Sequence, residues 1–351
     1  MRTAMIRCDA SPDIGTGHFI RSFALAQALS PDFKILFAYK KLSNDYIRLL
    51  RRQGWGFIKI PLSWTIGAEV KYLEMLILKK KIALFIVDTY RHSPRHLAIL
   101  KKQTLLLSFN DFDDSGNPSD IIYSPYAMSE TRQGLKGRLS LLGMAFLTFS
   151  KDLQKIRNEK RSEKSKGKLK IIFSLGGGNQ AQLTHELLKC LVGFIRGSDL
   201  IISLGSLSRY RLEKLKRFCR LNALRAVWLR TPVQLWREMK TSDLAVVSGG
   251  LTKYEAAYLG VPSITFARNE VEDLDCRCFE KRGLSLHAGK FSRKIFHKGI
   301  LPILFLLQNE AARKKMRKQC LRSLPYDASA RVRSTISRYL NSRYRNSLIR
   351  G

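Results

Sequence analysis

Acidic residues are scarce: 28 Asp and Glu stand against 63 Lys and Arg in 351 residues, a formal net charge of +35. A surface so depleted in negative charge attracts nucleic acid, anionic lipid or phosphorylated ligands. The excess is not gathered on one recognisable helix or face. It is heaviest in 151–170 and after residue 311, where Asp327 is the sole acid. Zinc fingers and aromatic-basic RNA motifs are absent, so specific nucleic-acid binding is not expected, and association with anionic surfaces is expected to be weak. A general lysine and arginine bias of the source would give the same charge. Cysteine is sparse too. The six cysteines (8, 190, 219, 276, 278 and 320) are scattered, and only Cys276 and Cys278 are close. No second pair completes a zinc site, and a disulfide framework is excluded, so free thiols in a reducing compartment fit best. Long apolar runs are missing. The run 300–307 is far too short to span a bilayer, and no signal-peptide pattern opens the chain. A cytoplasmic location without a transmembrane segment is therefore expected. No repeat with a period of 20–50 residues is present.

What is present is alternation. AMIRCDA, FKILFAY, WGFIKI, IALFIVDTY and TLLLSF read as strands, with 3.6-residue apolar spacing over 19–29 and 45–53 between them. The stretch 151–168 is polar and charged and reads as an exposed linker. LKIIFSL, DLIISLG, LRAVWL, DLAVVS and PSITFA then restart the pattern. Strands alternating with helices predict parallel sheets covered on both faces. The expected architecture is α/β, with two Rossmann-like domains facing a central cleft. Their expected spans are 1–150 and 169–325, followed by a basic helix over 326–351. Ligands in such sheets favour the carboxyl ends of the strands.

Three glycine loops follow strands. The first, RCDASPDIGTGHFIRS (7–22), holds Gly15, Gly17, His18 and Arg21. Glycine permits a sharp turn and close approach of another group, and a helix start aims free N–H groups at an anion. His18 would stand at that start, where the dipole favours the neutral imidazole, a candidate general base. The other reading is a tight turn whose histidine merely caps the helix. Ile20 replaces the third glycine of a dinucleotide fingerprint, and Lys40 and Lys41 end the next strand where an acid would hold a ribose. The second loop, GGGNQA (176–181), is either a phosphate-binding turn through Gly177 and Gly178 or a packing turn. The third spans 242–266. Its strand ends at Ser248, Gly249 and Gly250 turn, Thr252 can cap a helix, and Gly260 ends that helix. Glu255, one turn in, can accept two hydrogen bonds from a ribose diol, or simply complement the helix dipole.

Other polar groups end strands: Asp88 and Tyr90, then Asp111, Asp113 and Asp114. Paired acids there suit a metal, although no histidine is paired with them. His92 and His96 lie four apart on a predicted helix, where a solvated face is the favoured reading over metal ligation. His185, His287 and His297 have no context that favours function.

Several of these residues carry a family likeness. Arg7, Asp9, Ser11, the run from Ile14 through Gly15, Thr16 and Gly17 to His18, and Arg21 resemble the opening signature of the UDP-2,4-diacetamido-2,4,6-trideoxy-β-L-altropyranose hydrolases of pseudaminic acid biosynthesis. The likeness continues through VDTY (87–90), SFNDFDD (108–114), FSLGGGNQ (173–180), SGGLTKYEAAYLGVP (248–262), Arg268-Asn269 and YDASARV (326–332). It implies a GT-B fold, similar in its C-terminal half to the peptidoglycan N-acetylglucosaminyltransferase. It further implies hydrolysis of a UDP-sugar without metal or cofactor, with His18 catalytic and with Tyr90 and Asn269 approaching the substrate. Asp9 and Arg21 would fix the loop or the substrate. The chain departs from the family pattern at Ser150, where an arginine is usual, at Glu270, and at Ala328 and Ser329, where glycines are lost. The nucleotide side is intact and the sugar side altered. A glycosyltransferase of the same fold and a non-catalytic binder of anionic surfaces remain as alternative readings.

Overall fold

β1 (Arg2–Cys8) runs through the middle of a seven-stranded sheet, and successive side chains feed opposite cores. Ala4, Ile6 and Cys8 join one buried cluster, while Met5 joins the other. The remaining strands are β2 (Phe33–Tyr39), β3 (Gly56–Lys59), β4 (Ile82–Asp88), β5 (Leu105–Phe109), β6 (Ile121–Ser124) and β7 (Leu139–Leu142). All pair in parallel, in the order β3-β2-β1-β4-β5-β6-β7. The computed structural model describes residues 1–11, 15–89, 91–111, 116–132, 138–161, 168–176, 180–203, 209–229, 231–291 and 296–349.

One face of this sheet is covered by α1 (Gly17–Leu29) and by α13 (Ala328–Ile349), whose Val332, Ile336 and Leu340 form a stripe at helical spacing inside the core. The other face packs Val70, Leu73 and Leu76 of α3 (Ile66–Lys79) and Leu97 and Leu100 of α4 (Pro94–Lys101). The chain divides into a unit of Met1–Ser150 with Tyr326–Gly351 and a unit of Lys151–Pro325. The C-terminal helix, expected as a separate basic element, is thus part of the first unit's core.

The second unit carries a six-stranded parallel sheet of β8 (Lys170–Ser174), β9 (Asp199–Ser203), β10 (Arg225–Leu229), β11 (Leu244–Ser248), β12 (Ser263–Ala267) and β13 (Leu286–Lys290). Their order is β10-β9-β8-β11-β12-β13. The stretch expected to open an exposed linker instead opens with a helix, α5 (Lys151–Asn158). Leu153 and Ile156 are buried, and buried Arg157 donates to the carbonyls of Leu324 at 2.8 Å and Leu321 at 3.1 Å. Two apolar residues at i, i+3 suffice to seat a two-turn helix amid charged neighbours. β6, β7 and β13 escaped the sequence pattern. Two are four residues long, and the third reads LHAGK, with no apolar alternation.

In each sheet the strand order reverses once. β1 adjoins β4 across the first reversal, and β8 adjoins β11 across the second. Loops leaving the carboxyl ends of such neighbours part to opposite faces and leave a crevice. The first glycine loop leaves β1, and the third leaves β11.

Candidate functional site

At the first reversal His18 stands one residue into α1, and Asp88 ends β4. His18 Nδ1 lies 2.5 Å from Asp88 Oδ1, and the ring is 14% exposed. Asp88 is fully buried. Burial alone would raise its pKa, but the Arg21 guanidinium and then His18 hold it down at about 2. Arg21 is wholly engaged. Its Nε donates to Asp88 Oδ2 at 2.9 Å and its Nη2 to Asp88 Oδ1 at 2.5 Å. Its Nη1 donates to both Asp111 oxygens, at 2.7 and 2.9 Å, and to the Tyr126 hydroxyl at 2.5 Å. The guanidinium also sits 4.7 Å above the Phe109 ring. Arg21, expected to fix the loop or the substrate, is thus tied to Asp88 and Asp111. Asp88 and Asp111, read as metal-ligand candidates, share this arginine instead.

Asp9 is likewise a tether. Its Oδ1 accepts from the Lys40 and Lys41 amides at 2.7 and 3.0 Å, and its Oδ2 pairs with Arg7 at 2.8 Å. Burial pushes Asp9 up, but Arg7 and these amides pull it below the ordinary carboxylate value. Arg7 continues to Glu69 at 2.6 Å, and Glu69 meets Lys40 at 3.0 Å. His92 is buried against the same Glu69, 3.6 Å away, and burial lowers it to about 4. The solvated helix face expected for His92 is thus corrected: it precedes α4, and His96 alone enters that helix, completing the capping box with Ser93. Ser11 is buried, and its carbonyl accepts from Gly15 N at 2.8 Å. Gly15 carries the positive φ, +88°, whereas Gly17 is an exposed first helical residue. Tyr90, Asp113 and Asp114 lie outside the described residues, as do Gly177 and Gly178 of the second loop.

In the second unit, Ser248 ends β11 and α9 (Leu251–Tyr258) follows at once. The cap is Gly250, not Thr252, and a glycine brings no side chain to bond the first amides of the helix. A helix start of this kind, at the positive end of the helix dipole, suits an anion. Gly249 has a different reason to be glycine. A Cβ there would meet Cys276 Sγ of α10 (Glu270–Lys281) at 2.8 Å, whereas one on Gly250 would meet nothing nearer than Arg268 Nη2 at 3.5 Å. Buried Lys253 pairs with Asp275 at 2.7 Å and also donates to the Gly249 carbonyl, which fixes the turn. Glu255 is buried, and burial raises its carboxyl to about 7, opposed by the neighbouring Trp236 indole. The Trp236 Nε1–H stays outside hydrogen-bond geometry. Gly260, at φ +70°, follows the end of α9 as expected.

Asn269 caps α10, accepting from Glu272 N at 2.9 Å, and exposed Glu270 pairs with Lys290. Ser150 is buried, and Ala328 and Ser329 open α13 beside an Asp327–Arg331 pair at 3.0 Å. His287, given no role from sequence, bridges β13 to Asp273 at 2.9 Å. Burial opposes its protonation, but contacts with Cys276 and Asp273 raise it to about 9. Sequence reasoning left Tyr126, Glu69 and Lys253 unnoticed, because no motif marks a residue that acts only on its neighbours.

No family model matches the sequence. A protein of Methanocaldococcus jannaschii described as uncharacterised is 26% identical over 289 residues, covering 78% of this chain but 57% of that protein. The chain therefore spans little more than half the length of that relative. The spore coat polysaccharide biosynthesis protein SpsG of Bacillus subtilis is 24% identical over 300 residues, 81% of this chain and 83% of that protein. Among solved structures, MurG of Acinetobacter baumannii superposes with a TM-score of 0.65 at 13% identity, covering 96% of this chain and 100% of that one. MnaA of S. aureus, solved with UDP, gives 0.67 at 14% identity over 97% of both chains. Among the described residues no helix is long and apolar enough to cross a membrane. Two parallel-sheet α/β units, each with one strand-order reversal, make this chain a protein of the GT-B fold.

Proposed function

We propose that the protein hydrolyses a UDP-linked sugar to UDP and the free sugar. The observation that carries this reading is His18: a partly exposed imidazole at the carboxyl end of the central strand, held by a buried carboxylate. In the proposed reaction Nε2 takes a proton from water as the water oxygen bonds to the anomeric carbon. The bond from that carbon to the diphosphate oxygen breaks, and UDP leaves as a stable anion. Little acid help is needed on that side, so base help dominates. The glycine-capped start of α9, with Ser248, Gly249, Gly250 and Thr252, holds the diphosphate, and Glu255 accepts from the ribose diol. Gly177, Gly178, Tyr90 and Asn269 belong to the same reading through the family resemblance, as does the absence of a metal from the reaction.

The neighbours support nucleotide-sugar chemistry in a general form. One was solved with UDP, another is a putative UDP-N-acetylglucosamine 2-epimerase of Listeria monocytogenes, and SpsG is named for polysaccharide biosynthesis. A diacetamido-trideoxy sugar on the way to a nonulosonic acid, handled in the cytoplasm, is the substrate class drawn from the resemblance. The changed residues Ser150, Glu270, Ala328 and Ser329 bear on which sugar fits. The likeness to MurG and to glycosyltransferases favours a second reading, transfer to an acceptor other than water. Incubation with UDP-sugars and no acceptor separates the two: hydrolysis releases UDP and free sugar, and transfer releases neither.

A further inference from the structure

We infer that Asp88 is a positioning residue that fixes the His18 tautomer, with Nδ1 protonated and Nε2 carrying the lone pair, and that Arg21 and Asp111 lock Asp88 in place for this task. The inference rests on the reading of His18 as the base, yet its first test needs no substrate.

The geometry decides between two tautomers. His18 Nδ1 lies 2.5 Å from Asp88 Oδ1 and 3.1 Å from Arg21 Nη2. Arg21 only donates, and an ionised carboxylate only accepts. If Nδ1 lacked a proton, two lone pairs would face each other at 2.5 Å, while the contact to Arg21 is longer, at 3.1 Å. With the proton on Nδ1 the short contact is a charge-assisted hydrogen bond. Asp88 cannot turn away. Its Oδ2 is held by Arg21 Nε at 2.9 Å and Ser22 Oγ at 2.9 Å, and its Oδ1 by Arg21 Nη2 at 2.5 Å. Asp111 grips the far side of the same guanidinium with both oxygens. The cluster of Arg21, Asp88 and Asp111 sums to one negative charge, so it favours the imidazolium that forms during base catalysis, where Arg21 alone would oppose it. Such a carboxylate orients its histidine and stabilises the charged ring without itself taking the proton.

The test is the nitrogen-15 spectrum of the imidazoles in the intact protein without ligand, at a pH where His18 is neutral. Six histidines are present, and His18→Asn identifies the resonance by its loss. A proton on Nδ1 and a bare Nε2 are expected; a proton on Nε2 overturns the inference. In the second arm, Asp88→Asn is expected to lower kcat by about 10²-fold or more, the scale on which misplaced tautomers act, with UDP affinity unchanged. The loss is expected in kcat with KM little changed, because the neutral amide leaves the ring in place but favours the wrong tautomer. A loss in KM alone, or a kcat near that of the wild type, would refute the positioning role. If no UDP-sugar is turned over while Nδ1 is protonated, hydrolysis fails and the tautomer assignment stands.

Discussion

On the proposed function, Glu255 is the residue whose ionisation bears most directly on nucleotide binding. Its carboxyl, raised to about 7 by burial, is neutral in the acid range and ionised above it. A carboxylate accepts two diol hydrogen bonds better than an acid does, so the affinity difference between the wild type and Glu255→Gln is expected to widen as pH rises past 7. Using the difference removes the titration of UDP itself. Glu255→Ala should weaken UDP binding by about 1.5–3 kcal/mol, the range for a lost charged partner. Calorimetry showing equal affinities would exclude Glu255 from the ribose site. Its place inside a helix was legible from sequence because glycines end the strand before it and a further glycine closes α9, although the expected cap Thr252 gives way to Gly250 and Glu255 lies beyond the first turn. The Asp88–His18 bond was not, since it joins residues 70 apart and depends on rotamers that no periodicity encodes. Gly15 and Gly17 looked alike for a related reason. Only the fold reveals that φ is +88° at the first, so Gly15→Ala should cost about 1–2 kcal/mol through backbone strain alone, as read from denaturant midpoints.

At the level of elements, the meeting of β11, α9 and α10 explains why two adjacent glycines differ. Gly249→Ala drives a methyl to 2.8 Å from Cys276 Sγ and 3.0 Å from Glu272 Cβ. Overpacking of this kind should destabilise by about 1–3 kcal/mol. Adding Cys276→Ala should recover part of the loss, a coupling visible in a double-mutant cycle of thermal melts. Gly250→Ala, with its nearest neighbour at 3.5 Å, should change stability little. Strict additivity of the first pair would mean that the loop, not the helix behind it, requires Gly249. The central strands were readable because both their faces are buried, which makes them continuous apolar runs such as IALFIVD. The edge elements β7 and β13 lie beyond that rule, since an edge strand needs only pairing on one side.

For the whole chain, two buried histidines, one in each unit, contribute to stability with opposite pH dependence. His92, in the first unit, is held near 4 by burial. Between the ordinary histidine value and about 4, the unfolded chain binds a proton that the native chain does not, so the first unit loses stability as pH falls through that window. His287, in the second, is held near 9, and the stability it contributes is full below the ordinary value and is lost as pH rises towards 9. Each slope is at most about 1.4 kcal/mol per pH unit. Hydrogen exchange of β1 and β8 amides, compared at pH 5 and pH 9, should show β1 weakened by acid and β8 by base. Ile336→Ala, emptying a fully buried site on α13, should cost about 2–5 kcal/mol and accelerate exchange in β1 rather than β8. The function depends most directly on one measurement: turnover of a panel of UDP-linked diacetamido sugars by the whole protein, with no acceptor present, for the wild type and His18→Asn. Release of UDP and free sugar is expected, with kcat in the variant lower by about 10²–10⁴-fold and UDP affinity unchanged. UDP release only when an acceptor is added, or a variant as fast as the wild type, would contradict it.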